Sequence, residues 1–555
     1  MVEPMHRPGS GSSRAPTKHE GSRSPSRGVV YLLLLTILLV VVALRFPTTP
    51  HPLGGDTYLI LQMAEILSQD GAGSWQLSPI SYFGFYPYSY PTGYPAVVSA
   101  MGQMTGLTAE IVVYITALVV GLLSSLGAFV LCHRYTDDPK ASLLAALIYG
   151  TIPVVIAFSN WQISARGPFL AILPFFLLAL VARVGLLKKL LLIGLLLFAA
   201  MSVHRMAVML VPVLLIYVSL RARPRLGALA LRLMGFERRR WLVTAVALSA
   251  VVFGFAIPFL PDPPAPFDNH WWLDTEAGGA LPDNVPGGGP SLLVVYVAGR
   301  WGISLLFGVL GLLAGALKEH KTPLDWLMLG MVVILAPFLP VASYSYETLT
   351  VVATLLTAVF LVRALSSRNS RLRLRVVVTS ILIAGMIAFS SFTVFYRTGN
   401  YDPITNFRNY VTDDEYSSSL YLLHEANTMH VFNDPNAERK MTVLGRLPSE
   451  FDHVDTSTPV GFSWSDFWPR FQESPLLALR DPFTGPDELA LVRDRLRLLQ
   501  FSPDDPGAKT IMSKYDIEYL TVKRWGIGQY QTLCREAAKA RYQIYASGDY
   551  AVYAL

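Results

Sequence analysis

The chain has 555 residues, 52% of them hydrophobic and 15% charged, with a formal net charge of +6 and a mean hydropathy of +0.42. That balance excludes an ordinary water-soluble protein, and apolar runs long enough to span a bilayer recur along it. The basic residues gather beside those runs, so the positive charge calls for no nucleic-acid partner.

Residues 1–28 are rich in Ser, Pro, Gly and Arg and read as a disordered basic cytoplasmic tail. Val29–Phe46 runs into RFPTTPHP rather than a small-residue cleavage site, so it is taken as a first span and not a signal peptide. Further candidate spans are Thr108–Leu131, Ala141–Phe158, Phe169–Leu187, Leu190–Ser202, Met206–Leu220, Trp241–Leu260, Leu292–Leu317, Leu324–Pro340, Thr348–Leu365 and Val376–Phe395. Threaded alternately, they put seven arginines of Arg221–Arg240 and five of Arg363–Arg375 on the side of the basic tail. Opposite loops keep only Arg166 and Arg205, apart from Arg45 and Arg300 near span ends. The charge rule then makes the N-terminus cytoplasmic. Ala96–Thr105 is apolar enough for another half-span, but a full crossing would move the Arg221–Arg240 cluster outside, so it reads as re-entrant or interfacial.

The expected fold is a polytopic α-helical membrane protein of about 11 transmembrane helices over 29–395, with a first outer loop at 47–95 and another at 261–290. From 396 to 555 charges come every few residues, and the expectation is a soluble extracytoplasmic α/β domain. There IEYLTVK and VLGRL read as strands, PDELALVRDRLRLL and QTLCREAAKARY as amphipathic helices, and YQIYASGDYAVYAL as a hairpin. Cys132 and Cys534 fall on opposite sides of this topology, so no disulfide is expected.

The loop GGDTYLILQMAEIL holds an isolated acid, Asp56, at the start of an amphipathic helix that carries Glu65. An acid there serves either as a helix cap or as a reacting group. Trp75, Tyr82, Phe83, Phe85, Tyr86, Tyr88, Tyr90 and Tyr94 follow, a composition shared by interfacial aromatic belts and sugar-stacking platforms. Leu190–Ser202 and Met206–Leu220 give about 20 Å of helix each against about 30 Å of hydrocarbon, which sets the turn at His204 and Arg205 below the outer surface. Cations at that depth either bind a lipid-linked phosphate or snorkel to the headgroups. Arg300 invites the same argument. The 261–290 loop holds five acids and His270 without the spacing of a metal motif, Glu347 sits at a span end, and Asp466 lies in FSWSDFWPRF.

With a first span followed by GGDTYLILQMAEIL, then YPTGYPAVVSAMGQMTGL, about ten further spans and a C-terminal outer domain, the chain resembles the GT-C superfamily of membrane glycosyltransferases. That superfamily includes protein O-mannosyltransferases, aminoarabinose transferases and the catalytic subunit of oligosaccharyltransferase. The resemblance implies a catalytic Asp in the first outer loop, matched by Asp56, and a polyprenyl or dolichyl phosphate sugar donor. Glu347 matches the loop of a functional Glu in the oligosaccharyltransferase branch, and Trp464-Ser465-Asp466-Phe467-Trp468 is faintly similar to that branch's Trp-Trp-Asp-Tyr-Gly. The same branch holds Mg or Mn with second-loop acids, where this chain has SNWQISARG with no carboxylate. No metal ligand is therefore assigned.

The expected activity is transfer of a sugar from a polyprenyl-phosphate donor in the membrane to an extracytoplasmic protein or glycolipid acceptor. Asp56 would act as general base. His204, Arg205, Arg166 and Arg300 would bind the donor phosphate, and Glu65, Tyr86, Tyr88, Tyr90 and Glu347 the acceptor or sugar. The alternatives are a non-catalytic membrane assembly subunit that keeps the fold and, third, a lipid or solute transporter, a class that usually shows the internal repeats missing here.

Overall fold

A computed structural model describes residues 26–71, 81–83, 91–220, 300–302, 304–318, 321–336, 343–366, 380–389, 412–422, 431–432, 500–523, 532–548 and 550–555, with single positions at 377, 391, 494, 497 and 498. Residues 1–25 of the basic tail, Trp241–Leu260, the 261–290 loop, Tyr86, Tyr88, Tyr90, VLGRL and Asp466 lie outside the described residues, while the last two tail positions, Arg27 and Gly28, already belong to the first helix.

The helices in chain order are α1 (Arg27–Ala43), α2 (Gly55–Asp70), α3 (Gly93–Thr105), α4 (Ala109–Thr136), α5 (Pro139–Thr151), α6 (Pro153–Ala157), α7 (Arg166–Val181) and α8 (Leu186–Val203). After a short 3-10 turn at Arg205–Met209 come α9 (Met206–Leu220, sharing that turn), α10 (Ser304–Leu317), α11 (Pro323–Leu335), α12 (Ser343–Ser366) and α13 (Ser380–Phe389). Among the described residues, three helices are long and apolar enough to cross a membrane, in α4, α8 and α12, and six more apolar helices are shorter.

Leu32, Leu35 and Leu39 of α1 and Leu187, Leu191 and Leu195 of α8 stand exposed. In water such faces would be unstable, whereas lipid solvates them and leaves the backbone bonded within each helix. The core forms where α4 packs against α5 and α7, and α12 against α5 and α10. Small residues set the spacing: a Cβ on Gly311 of α10 would stand 2.5 Å from the Leu356 carbonyl oxygen of α12, the kind of contact that drives association where no hydrophobic force acts between helices.

Three expected spans take a different form. Leu190–Ser202 is part of an 18-residue helix, Leu186–Val203, about 27 Å long, so shortness of this helix does not sink the His204 turn. Ala141–Phe158 is broken at Ile152, because Pro153 cannot donate the bond that would continue α5. The described part of Leu292–Leu317 is interrupted at Gly302, whose φ of +56° only glycine adopts readily.

Toward the C-terminus, α14 (Asp413–Tyr421), β1 (Val431–Phe432), α15 (Pro506–Lys514), β2 (Tyr519–Lys523), α16 (Thr532–Ala540), β3 (Gln543–Ser547) and β4 (Tyr550–Ala554) form a small α/β unit. Its sheet order is β1-β2-β4-β3, with β1 parallel to β2 and the other pairs antiparallel. Ala508, Ile511, Leu533 and Ala537 of α15 and α16 pack with Leu520, Val522 and Ala551 of the sheet. Neither cysteine is in a disulfide, and both are buried.

Candidate active site

The site is built where the segment after α1 meets the segment between α6 and α7. Leu53 N donates to Trp161 O at 2.8 Å, and Ile163 N donates to Thr57 Oγ1 at 3.0 Å. Thr57 Oγ1 in turn donates to Leu53 O at 2.6 Å and lies 3.1 Å from Ile163 O. Gly54 starts α2 at φ +79° with the Gln162 carboxamide against it. These bonds lay the two loops side by side as a rigid seam.

Asp56 sits in the first turn of α2, but the N-cap position belongs to Gly54, which makes no side-chain cap bond. The Asp56 carboxylate reaches across the seam instead, its Oδ2 accepting from Ser164 Oγ at 2.6 Å. A hydrogen bond to a charged acceptor of that length is among the stronger ones and fixes the carboxylate's orientation. Its position in the first turn also lets the helix dipole favour the anion.

Two residues beyond Ser164, Arg166 opens α7. Its Nη1 lies 3.4 Å from Glu347 Oε1, and its guanidinium stands 5.1 Å from the Phe158 ring centroid. Arg300 approaches the same ring, and that of Tyr346, at 6.0 Å each. Next to it, Trp301 Nε1 donates to Thr350 Oγ1 at 3.0 Å and so fastens this piece of backbone to α12. Glu347 is fully buried; Oε1 also accepts from Tyr346 OH at 3.0 Å, while Oε2 has no hydrogen-bond partner among the described residues. Arg166, Arg300 and Asp56 all act electrostatically on Glu347, which makes the four one charged neighbourhood.

His204 is buried and ends α8, where its Nδ1 accepts from Met206 N at 2.9 Å and caps the 3-10 turn. That bond puts the ring proton of a neutral imidazole on Nε2. The turn packs on α7 and α12, the helices that carry Arg166 and Glu347. Arg205 begins the same turn, with its side chain outside the described part. Glu65 is half-buried on α2, about 14 Å along the helix from Asp56 and half a turn round it, so the two acids are not gathered together.

Sequence reasoning missed Ser164, Gln162 and Phe158; the density of polar groups in SNWQISARG between two apolar runs was the available signal. It also missed what holds the loop. Arg45, fully buried, donates from Nε to Ser159 Oγ at 2.9 Å and from its terminal nitrogens to Val41 O at 2.9 Å and Gly150 O at 3.2 Å. Gly121 leaves it room, since a Cβ there would fall 2.2 Å from Arg45 Nε. The donor set does not suit a divalent cation, which takes several oxygen ligands. Asp56 Oδ2 faces a hydroxyl, Glu347 Oε1 is shared by Arg166 and Tyr346, and among the described residues no three His, Cys, Asp or Glu side chains could hold a metal.

No family model matches the chain, and no curated protein matches it in sequence. Its structure is similar to a cryo-EM structure of a mutant arabinofuranosyltransferase AftD from Mycobacteria, at 14% identity and a TM-score of 0.50, over 96% of this chain and 42% of that one. The chain thus spans less than half of AftD's length. Crystal structures of ArnT from Cupriavidus metallidurans, one bound to undecaprenyl phosphate and one apo, align at 12% identity with TM-scores of 0.43 and 0.42. They cover 96% and 95% of this chain and 98% of ArnT. The likeness to AftD is one of fold alone.

Proposed function

We propose that the chain is an inverting glycosyltransferase that moves a sugar from a polyprenyl-phosphate carrier to an acceptor on the extracytoplasmic face, with residues 396–555 on that face beside the acceptor. The observation that carries this reading is the Asp56–Ser164 pair, a carboxylate aimed by a serine that stands two residues before Arg166. In the reaction the acceptor hydroxyl gives its proton to Asp56 as its oxygen forms a bond to the sugar's anomeric carbon. The bond from that carbon to the carrier phosphate breaks on the opposite face, and the phosphate leaves with the electron pair. Arg166 and Arg300, whose guanidinium groups meet at the Phe158 ring, supply the cationic N–H donors for the departing oxygen. His204 and Arg205 belong to the same phosphate subsite. Glu347, with an uncommitted buried oxygen, accepts a sugar hydroxyl, and Glu65, Tyr86, Tyr88 and Tyr90 border the acceptor.

General-base catalysis contributes about 10²–10⁴-fold. Asp56→Asn keeps the Ser164 hydrogen bond in reach but takes no proton, so transfer should fall by that factor with expression unchanged. The test compares envelope glycolipids and glycoproteins by mass spectrometry in cells carrying the wild type, the Asp56→Asn variant, or no copy. A product lost with the gene and fully restored by Asp56→Asn would remove Asp56 as base and favour a non-catalytic assembly subunit.

A further inference from the structure

At the end of α12 away from Glu347, a cavity of about 290 Å³ opens between α4, α10, α11 and α12. Arg363 on its rim lies roughly 24 Å of helix beyond Glu347, so the cavity is remote from the candidate active site. One wall is apolar, with Gly311, Gly315, Leu356, Val359 and Phe360. The other wall carries Tyr135, Lys318, Asp325 and Arg363.

The charges on that second wall do not cancel in their hydrogen bonding. Asp325 is saturated: it accepts from Tyr135 OH, and its Oδ2 accepts from Lys318 Nζ at 2.7 Å, Thr322 N at 2.6 Å and Thr322 Oγ1 at 2.8 Å. Lys318 gives one of its three N–H groups to this carboxylate. Arg363 makes no hydrogen bond or ion pair among the described residues and is exposed. Lys321, over the Trp326 ring at 5.3 Å, adds a third cation nearby. The result is an apolar slot beside surplus cationic donors, at the end of helices whose exposed apolar faces require lipid.

We propose that this cavity binds one anionic phospholipid, with its phosphate on Arg363 and Lys318 and an acyl chain along Gly315, Leu356 and Phe360. The guanidinium and ammonium match a phosphodiester in charge and geometry. A zwitterionic headgroup brings its own cation and gains less. This site is separate from the glycosyl-transfer reading and stands or falls without it.

Gly315 offers a clean test, because a Cβ there meets only Leu356 Cδ2, at 3.9 Å. The full chain, stripped of lipid in detergent, is incubated with equal amounts of phosphatidylglycerol and phosphatidylcholine, and bound lipid is counted by native mass spectrometry. Wild type should retain phosphatidylglycerol in preference. Arg363→Gln, at an exposed position that leaves the fold intact, should lower that occupancy about fivefold. Gly315→Leu should lower binding of both lipids, and Leu191→Ala, on the lipid-facing side of α8, should change neither. Equal retention of the two lipids by wild type, or undiminished phosphatidylglycerol on both cavity variants, would overturn the assignment. Displacement of phosphatidylglycerol by glycerol 1-phosphate would overturn it as well, in favour of a soluble anion site.

Discussion

Gly54 and Ser164 show how little side chain the seam between the two loops tolerates. Gly54 holds φ +79°, and an added Cβ would lie 3.0 Å from Gln162 Oε1. Gly54→Ala is predicted to cost about 1–2 kcal/mol in backbone strain alone, seen as a lower thermal unfolding midpoint; an unchanged midpoint would mean the loop relaxes freely. Ser164→Ala removes one bond to a charged acceptor, a change of about 1.5–3 kcal/mol. Under the proposed mechanism Ser164 orients Asp56 through that bond, so kcat should fall about tenfold or more with KM little changed. A rise in KM alone would place Ser164 in acceptor binding instead. Asp56 was legible in the sequence because it stands alone in a loop between apolar runs. Ser164 was not, since its pairing with Asp56 spans 108 residues and serines are common in loops. The observed N-cap at Gly54 removes the cap reading of Asp56, and its role as a base is the proposal made above.

At the scale of elements, Lys189 explains the misread length of α8. Charged residues were taken to end a span before Leu190, yet Lys189 is buried, donates to Leu180 O at 3.1 Å and Tyr217 OH at 3.2 Å, and belongs to α8. A lysine with a long apolar stem can enter a packed helix when its head finds such acceptors. The period-2 pattern at the C-terminus was easier: QIYAS and YAVYA are β3 and β4 of an antiparallel pair turned at Gly548. Near the same sheet, Lys514 Nζ donates to Asp494 Oδ2 at 2.8 Å, and that bond holds the Asp494 carboxyl below its ordinary range. A depressed carboxyl stabilises the fold above the unfolded value of about 3.9 and stops doing so as pH falls through the folded value. Lys514→Met should therefore be less stable than wild type at neutral pH by circular dichroism melting, and the gap should close in acid below about pH 4. A gap that persists there would assign the effect to packing.

Across the whole molecule, the loop after α1 also meets the C-terminal unit. His51 Nδ1 lies 2.7 Å from Glu110 Oε1 of α4, its Nε2 lies 3.6 Å from Asp413 of α14, and its ring is 4.6 Å from that of Tyr416. His51→Phe keeps the ring contact and removes both polar ones, so amide exchange in Asp413–Tyr421 should quicken; unchanged protection would show that the ring alone seats α14. The Arg45 guanidinium has a different kind of consequence. Its acceptors are neutral, and one of them, Gly150 O, lies 105 residues further along the chain. A buried charge is costly until it is satisfied, so the first helix cannot settle when it is made. At about 5–20 residues per second of synthesis, roughly 5–20 s separate the making of Arg45 from that of its acceptor on α5, so the first helix to be made is not the first to have its charge satisfied.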